Sequence, residues 1–172
     1  TQFESIITAM FHRFSDALKV RSVDMPMVIF EPGRSIVANA GVTVYSVGTI
    51  KQVSGGKTFV CVDGGMTDNI RPMLYQSQYE FDLISSHSSS SNQVVSVAGK
   101  YCESSDILGD NITLPTPHEG DLMVVYSTGA YNYSMASNYN RSCRPPVVCV
   151  DNGQDELFVT RETYNDLLSN DT

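Results

Sequence analysis

Four short stretches carry side chains whose types and spacing suit a common chemistry. Cys102 and Glu103 open the run CESSD, a thiol beside a carboxylate. The thiol can transfer a proton and the carboxylate can hold an ammonium group; the plain alternative for Cys102 is a small, inert hydrophobe. Arg71 and Tyr75 lie four apart in NIRPMLY. A guanidinium supplying charge and a phenol supplying direction suit a fixed carboxylate, and a packed turn with Tyr75 in the core is the alternative. Gly33 and Arg34 end an apolar run in EPGR. Glycine lets backbone N–H groups meet a phosphate closely, and Arg34 can clamp a carboxylate or phosphate with two N–H groups. A tight turn beside a solvated arginine explains the same letters. Tyr131, in TGAYNYS, follows Gly129 and Ala130 where backbone bulk is low. Its hydroxyl is placed to reach a phosphate oxygen, although a core tyrosine reads the same way.

These groups need elements to position them. The 172 residues are about one domain in length and hold 41% hydrophobic and 17% charged residues with no tryptophan, the composition of a soluble globular chain. A formal net charge of -8, with no Lys/Arg cluster, argues against a nucleic-acid surface. No apolar run approaches the ~20 residues that span a bilayer, and TQFESIIT lacks the basic stretch and apolar core of a signal peptide. Neither membrane nor nucleic acid is expected as a partner, and a cytoplasmic setting is. Cys61, Cys102, Cys143 and Cys149 form no close pair, which favours free thiols in a reducing compartment. His12, His87 and His118 stand at no ligand spacing, so no metal is expected.

Phe3, Ile6, Ile7, Met10, Phe11, Phe14 and Leu18 recur at helical spacing, so an amphipathic helix is expected almost from residue 1. The run MPMVIF that follows reads as a buried strand. After EPGR, Ser35 can cap a short helix over 35–40 that Gly41 ends. Strand-like material runs from Val42 to about Val53, turns at SGGK and returns over 58–62 as a hairpin. DGGMTDN is a glycine-rich crossing between strands. Strands are expected over 79–84, 94–97, 122–126, 147–150 and 156–160, with DNGQD as a turn and a short helix over 162–168. SSHSSSSN reads as a mobile surface loop, and 107–117 as a loop after CESSD. The fold class is therefore mainly β, an antiparallel domain from about residue 42 to 160 behind one α/β remnant.

The four blocks EPGRSIVANAG, VDGGMTDNIRPMLY, AGKYCESSDIL and GDLMVVYSTGAYNYSMASNYN stand in order along the chain. Together with RETYNDLL they resemble the carboxy-terminal part of the diaminopimelate decarboxylase family from near Val28 to the end. The resemblance implies an enzyme dependent on pyridoxal 5′-phosphate (PLP), with an alanine-racemase-like (β/α)8 barrel and an added β-barrel or sandwich domain. Residues 1–34 would be the last helix and strand of a truncated barrel with its EPGR loop, and 35–172 the carboxy-terminal β domain. Implied cofactor contacts are Glu31, Pro32, Gly33, Arg34 and Tyr131. Implied substrate contacts are Arg34, Arg71, Tyr75, Glu103 and Tyr131, around meso-diaminopimelate. Cys102 resembles the proton donor, on a loop that enters the site of the other subunit of a homodimer.

Three departures accompany the resemblance. Tyr79 stands where the family often has histidine. Arg141 is one place earlier than the expected arginine, with Ser142 in its place. No block matches the one around the Schiff-base lysine; Lys19, Lys51, Lys57 and Lys100 have other contexts. The resemblance therefore implies that this polypeptide alone is inactive and that a longer parent, ending in L-lysine as product, is the enzyme. Related decarboxylases of ornithine, arginine or carboxynorspermidine, a non-catalytic homologue and a stand-alone binding domain are the competing readings.

Overall fold

The computed structural model describes residues 2–85, 87 and 91–172. The chain divides into two compact units, Thr1–Pro32 and Gly33–Thr172. In the first, α1 (Gln2–Val20) follows the predicted periodicity, with Glu4 in its first turn and Lys19 in its last, both favourable to the helix dipole. Phe11 packs on Phe30 with ring centroids 5.6 Å apart. Met10, Phe11, Phe14, Val28 and Phe30 line one apolar cavity. The strand expected in MPMVIF is not formed: residues 23–30 belong to no ladder, and Met27 and Ile29 are exposed. Their composition suits a strand, but a strand exists only where another backbone supplies its hydrogen-bond partners, and this unit holds none among the described residues.

The second unit is built on six strands. These are β1 (Val42–Gln52), β2 (Thr58–Val62), β3 (Phe81–Ile84), β4 (Asn92–Ala98), β5 (Ile107–Pro115) and β6 (Leu122–Tyr126). They run in the order β3-β6-β1-β2-β4-β5, antiparallel except for the parallel β2–β4 pair. The sheet curls until its outer strands approach: a Cβ added to Gly109 of β5 would lie 2.7 Å from the Phe81 ring of β3. The result is a nearly closed barrel. Period-two alternation sends Tyr45 and Val47, Val60 and Val62, Val95 and Val97, Leu108 and Leu114, and Met123 and Val125 inward to one core.

The hairpin β1–β2 turns on Gly55 and Gly56, both at positive φ, as SGGK predicts. A second hairpin pairs β7 (Val147–Asp151) with β8 (Gln154–Val159) through Asn152 and Gly153, again both at positive φ. The loop expected over 107–117 is instead strand β5. Its GDN letters mimic a turn, but Asn111 takes a left-handed conformation (φ 56°) beside an irregular register, so the ladder with β4 bends and continues. The short helix after EPGR begins one residue early, α2 (Arg34–Val37), and continues as a 3₁₀ turn over Ala38–Ala40 before Gly41. Gly33, not Ser35, occupies the cap position, so Ser35 is inside the helix and caps nothing. Of the segment expected to be a mobile loop, residues 86 and 88–90 lie outside the described residues.

α3 (Arg71–Tyr75) follows the glycine-rich crossing, and α4 (Asn132–Met135) follows β6. α5 (Tyr164–Leu168) closes the chain behind a capping box in which Thr163 and Asp166 satisfy each other's end of the turn. Among the described residues no helix is long and apolar enough to cross a membrane.

Candidate functional site

Gly33 and Tyr131 are brought together by two backbone segments that touch without side chains between them. Thr128 N–H donates to the Gly41 carbonyl at 3.0 Å, and Gly129 N–H donates to the Ala38 carbonyl at 3.0 Å. A Cβ on Gly129 would lie 2.1 Å from the Val37 oxygen, and one on Gly41 would lie 2.4 Å from Gly129 Cα, so both positions demand glycine. Side chains reinforce the seam, with Thr43 Oγ1 donating to Thr128 Oγ1 and Ser127 Oγ donating to Asn39 Oδ1, each at 2.9 Å. The turn then swings Tyr131 into a left-handed conformation (φ 71°), costly for an aromatic residue. Its hydroxyl ends beside Gly33, where a Cβ would stand only 2.8 Å from Tyr131 Oη.

The same phenol ring has a second neighbour. The Arg71 guanidinium carbon lies 5.0 Å from the Tyr75 ring centroid and 5.0 Å from that of Tyr131. A guanidinium over aromatic rings is held by cation–π attraction as well as by packing. Its Nη1 reaches Met135 Sδ at 3.8 Å, a weak acceptor, and its Nε is buried without a partner. Tyr75 is 59% exposed and Tyr131 45% exposed, so the cluster opens to solvent and Tyr75 is not a core residue. The arrangement offers N–H donors, fixed by aromatic rings, to an anion arriving from outside.

A second cluster forms around the CESSD turn. Cys102 and Glu103 are exposed. The Tyr139 hydroxyl hydrogen-bonds the Glu103 carboxylate, and that bond first, then desolvation, pushes the phenol's pKa up. Tyr139 packs edge-on against Tyr101 at 6.4 Å, and Tyr101 Oη meets Thr67 Oγ1 at 2.5 Å. The turn itself is anchored by Asp106, which is buried and accepts hydrogen bonds from the backbone.

The predicted residues therefore fall into two groups. Gly33, Arg71, Tyr75 and Tyr131 assemble around one ring. Cys102 and Glu103 stand together on the other turn, with Tyr139 as partner. Arg34 is exposed on the first residue of α2, next to Gly33, and shares none of the Arg71 contacts; Glu31 and Pro32 are exposed at the end of the first unit. Sequence reasoning missed Tyr139 and Asp106. The first has no spacing relation to Glu103, and the only hint of the second is the pair of glycines, Gly65 and Gly99, that its carboxylate fills. The four cysteines are unbridged, and no group of three metal-ligating side chains forms among the described residues.

The arrangement has relatives. A diaminopimelate decarboxylase of Bacillus subtilis (strain 168) is 53% identical over 148 residues, which cover 86% of this chain and 34% of that protein. The crystal structure of diaminopimelate decarboxylase from M. jannaschii in co-complex with L-lysine superposes with a TM-score of 0.79 at 38% identity, over 92% of this chain and 36% of that one. The lysine/ornithine decarboxylase of Vibrio vulnificus, complexed with cadaverine, reaches a TM-score of 0.58 at 28% identity, over 66% of this chain and 31% of that one. This chain thus spans about a third of the length of the relatives it matches. The model of the family "Pyridoxal-dependent decarboxylase, C-terminal sheet domain" matches residues 7–129, and the chain belongs to that family of PLP-dependent enzymes.

Proposed function

We propose that this chain is the carboxy-terminal portion of a diaminopimelate decarboxylase, which removes carbon dioxide from the D-centre of meso-2,6-diaminopimelate to give L-lysine. The observation that carries the reading is the Arg71 guanidinium, held between Tyr75 and Tyr131 with a buried Nε that lacks an acceptor. A distal carboxylate is an acceptor of the right charge, and diaminopimelate differs from ornithine and lysine in carrying one. The higher identity to diaminopimelate decarboxylases than to the lysine/ornithine enzyme supports the same choice. The division into a barrel remnant, 1–34, and a β domain, 35–172, is part of the proposal.

The residues present fit PLP. Gly33 leaves open the space beside the Tyr131 hydroxyl that a side chain would fill. Gly33 with its neighbouring backbone and Tyr131 would hold the phosphate, with Glu31, Pro32 and Arg34 lining the same loop. Bound PLP supplies the electron sink for the pair left behind when carbon dioxide departs. Arg71 and Tyr75 would bind the carboxylate of the L-centre, with Arg34 reaching it from the phosphate loop, and Tyr131 would contact both substrate and phosphate. Glu103 binds the distal ammonium. Fixing the remote end sets the orientation of the bond that breaks, and so lowers the barrier through positioning. Cys102 delivers the proton that replaces the lost carboxylate, from a turn that enters the site of the second subunit of a homodimer.

The test is an assay of the full-length protein with meso-diaminopimelate, ornithine and arginine, following carbon dioxide and the amine product. Lysine formed from diaminopimelate, with the other two at least tenfold slower, is expected. Equal or faster turnover of ornithine would move the chain to the related decarboxylases, and no turnover of any would remove the enzyme reading.

A further inference from the structure

The two clusters, which the proposed function assigns to the two neighbouring sites of a homodimer, are joined within one chain through one buried side chain. Asp106 is 2% exposed. One carboxylate oxygen accepts from Met66 N–H at 2.7 Å, in the crossing that leads to Arg71. The other accepts from Tyr101 N–H at 2.9 Å, in the turn that carries Cys102 and Glu103. Glycines wall it on both sides: a Cβ on Gly65 would lie 2.6 Å from Oδ1, and one on Gly99 would lie 2.1 Å from Oδ2. Two further backbone bonds complete the knot, Gly99 N–H to the Asp106 carbonyl at 2.9 Å and Lys100 N–H to the Gly64 carbonyl at 3.0 Å.

Nothing about packing alone asks for a carboxylate there. Among the described residues it forms no ion pair, and the charges nearest in effect, Asp68 and Glu103, are of its own sign. Burial raises its pKa against the pull of its two backbone donors. A buried charge without a counter-cation costs stability that a neutral side chain of the same volume does not. What the carboxylate does uniquely is present two acceptor oxygens to two N–H groups on different segments.

We propose that Asp106 is a positioning residue whose two oxygens tie the Met66 and Tyr101 backbones together and thereby fix the Cys102–Glu103 turn relative to the Arg71 crossing. The assignment of a kinetic consequence rests on the function proposed above; the tie itself does not. Asp106→Asn keeps the volume and one acceptor but turns an N–H₂ group toward the other backbone donor. Asp106→Ser, smaller and still an acceptor, is the second variant.

The experiment measures amide hydrogen exchange and kinetics of both variants in the full-length, PLP-loaded protein, with Asp155→Asn as an exposed control. Expected are at least tenfold faster exchange over residues 64–68 and 99–105, unchanged exchange in β1 and β6, and a control like wild type. PLP affinity should stay within twofold, while kcat/KM for diaminopimelate falls roughly 10- to 100-fold, as for a misplaced reacting group. Wild-type exchange over those two segments, or equal acceleration throughout the sheet, would overturn the tie. Accelerated exchange with wild-type kcat/KM would overturn the positioning role. Wild-type protein without decarboxylase activity would instead defeat the functional reading and leave the exchange result to decide Asp106.

Discussion

At the scale of single residues, the proposed site works by holding charges still. The Arg71 guanidinium is in contact with two aromatic rings, so less conformational freedom remains to be lost when an anion arrives. Arg71→Ala should lower kcat/KM for diaminopimelate by about tenfold to a hundredfold, the worth of a charge-assisted hydrogen bond. Arg71→Lys should recover little of it, because an ammonium keeps the charge without the planar stacking. Steady-state kinetics at saturating PLP reads both. Cys102→Ala tests a different step: kcat should fall by roughly 100- to 10,000-fold, the range of general acid catalysis, with PLP absorbance intact. Turnover at the wild-type rate would assign the proton to another donor. Arg71, Tyr75, Cys102 and Glu103 stand out in the sequence only as candidates, and the fold brings Arg71 to Tyr75 and leaves Cys102 exposed beside Glu103. Tyr139 and Asp106 do not stand out, since a tyrosine and an aspartate become informative only when the fold shows what each one faces.

Among the elements, the strands were legible wherever alternation was clean. Thr58–Val62 alternates buried and half-buried residues without a break, and its hairpin partner is found where SGGK puts it. The failures have local causes. In β5 the letters GDN hide a bulge, since a left-handed Asn111 looks the same in sequence as a turn. In residues 23–30 the apolar letters describe a surface and not a ladder, and pairing is decided by backbone elsewhere. The seam between 37–41 and 127–131 rests on glycines, so Gly129→Ala should cost about 1–3 kcal/mol through overpacking, read as a lower urea midpoint of the full-length protein. The last elements are tied by Glu162, which accepts from Arg144 Nε at 2.7 Å, Arg144 N–H at 2.8 Å and Asn138 Nδ2 at 2.6 Å. The Arg144 side chain foremost, then its backbone N–H, lowers the Glu162 pKa from 4.5 to about 2. Folded protein therefore binds fewer protons than unfolded chain in that interval, so this contribution is whole above pH 4.5 and is lost as pH falls toward 2. Glu162→Gln should flatten the acid side of a stability–pH curve measured by urea denaturation, with the loss largest at neutral pH and vanishing in strong acid.

For the whole molecule, the proposed completion of the site across a dimer seam carries its own test. Full-length Arg71→Ala and Cys102→Ala proteins, each impaired at least tenfold when assayed below KM, should regain activity when unfolded together and reassembled. Half of a random mixture is heterodimer with one of its two sites intact, so recovery should approach about a quarter of wild type. No recovery, with heterodimers demonstrated by mass, would place both residues in the same subunit's site. Tyr131 carries a further consequence for the range of molecules accepted. Its hydroxyl end abuts Gly33 while its ring lies over Arg71, so a single aromatic ring spans from the proposed phosphate loop to the proposed distal anchor. Such a ring is a rigid ruler. A diamino diacid one methylene shorter or longer could reach one end of it but not both, and selectivity for chain length would follow from the dimensions of benzene rather than from any group that recognises the methylenes.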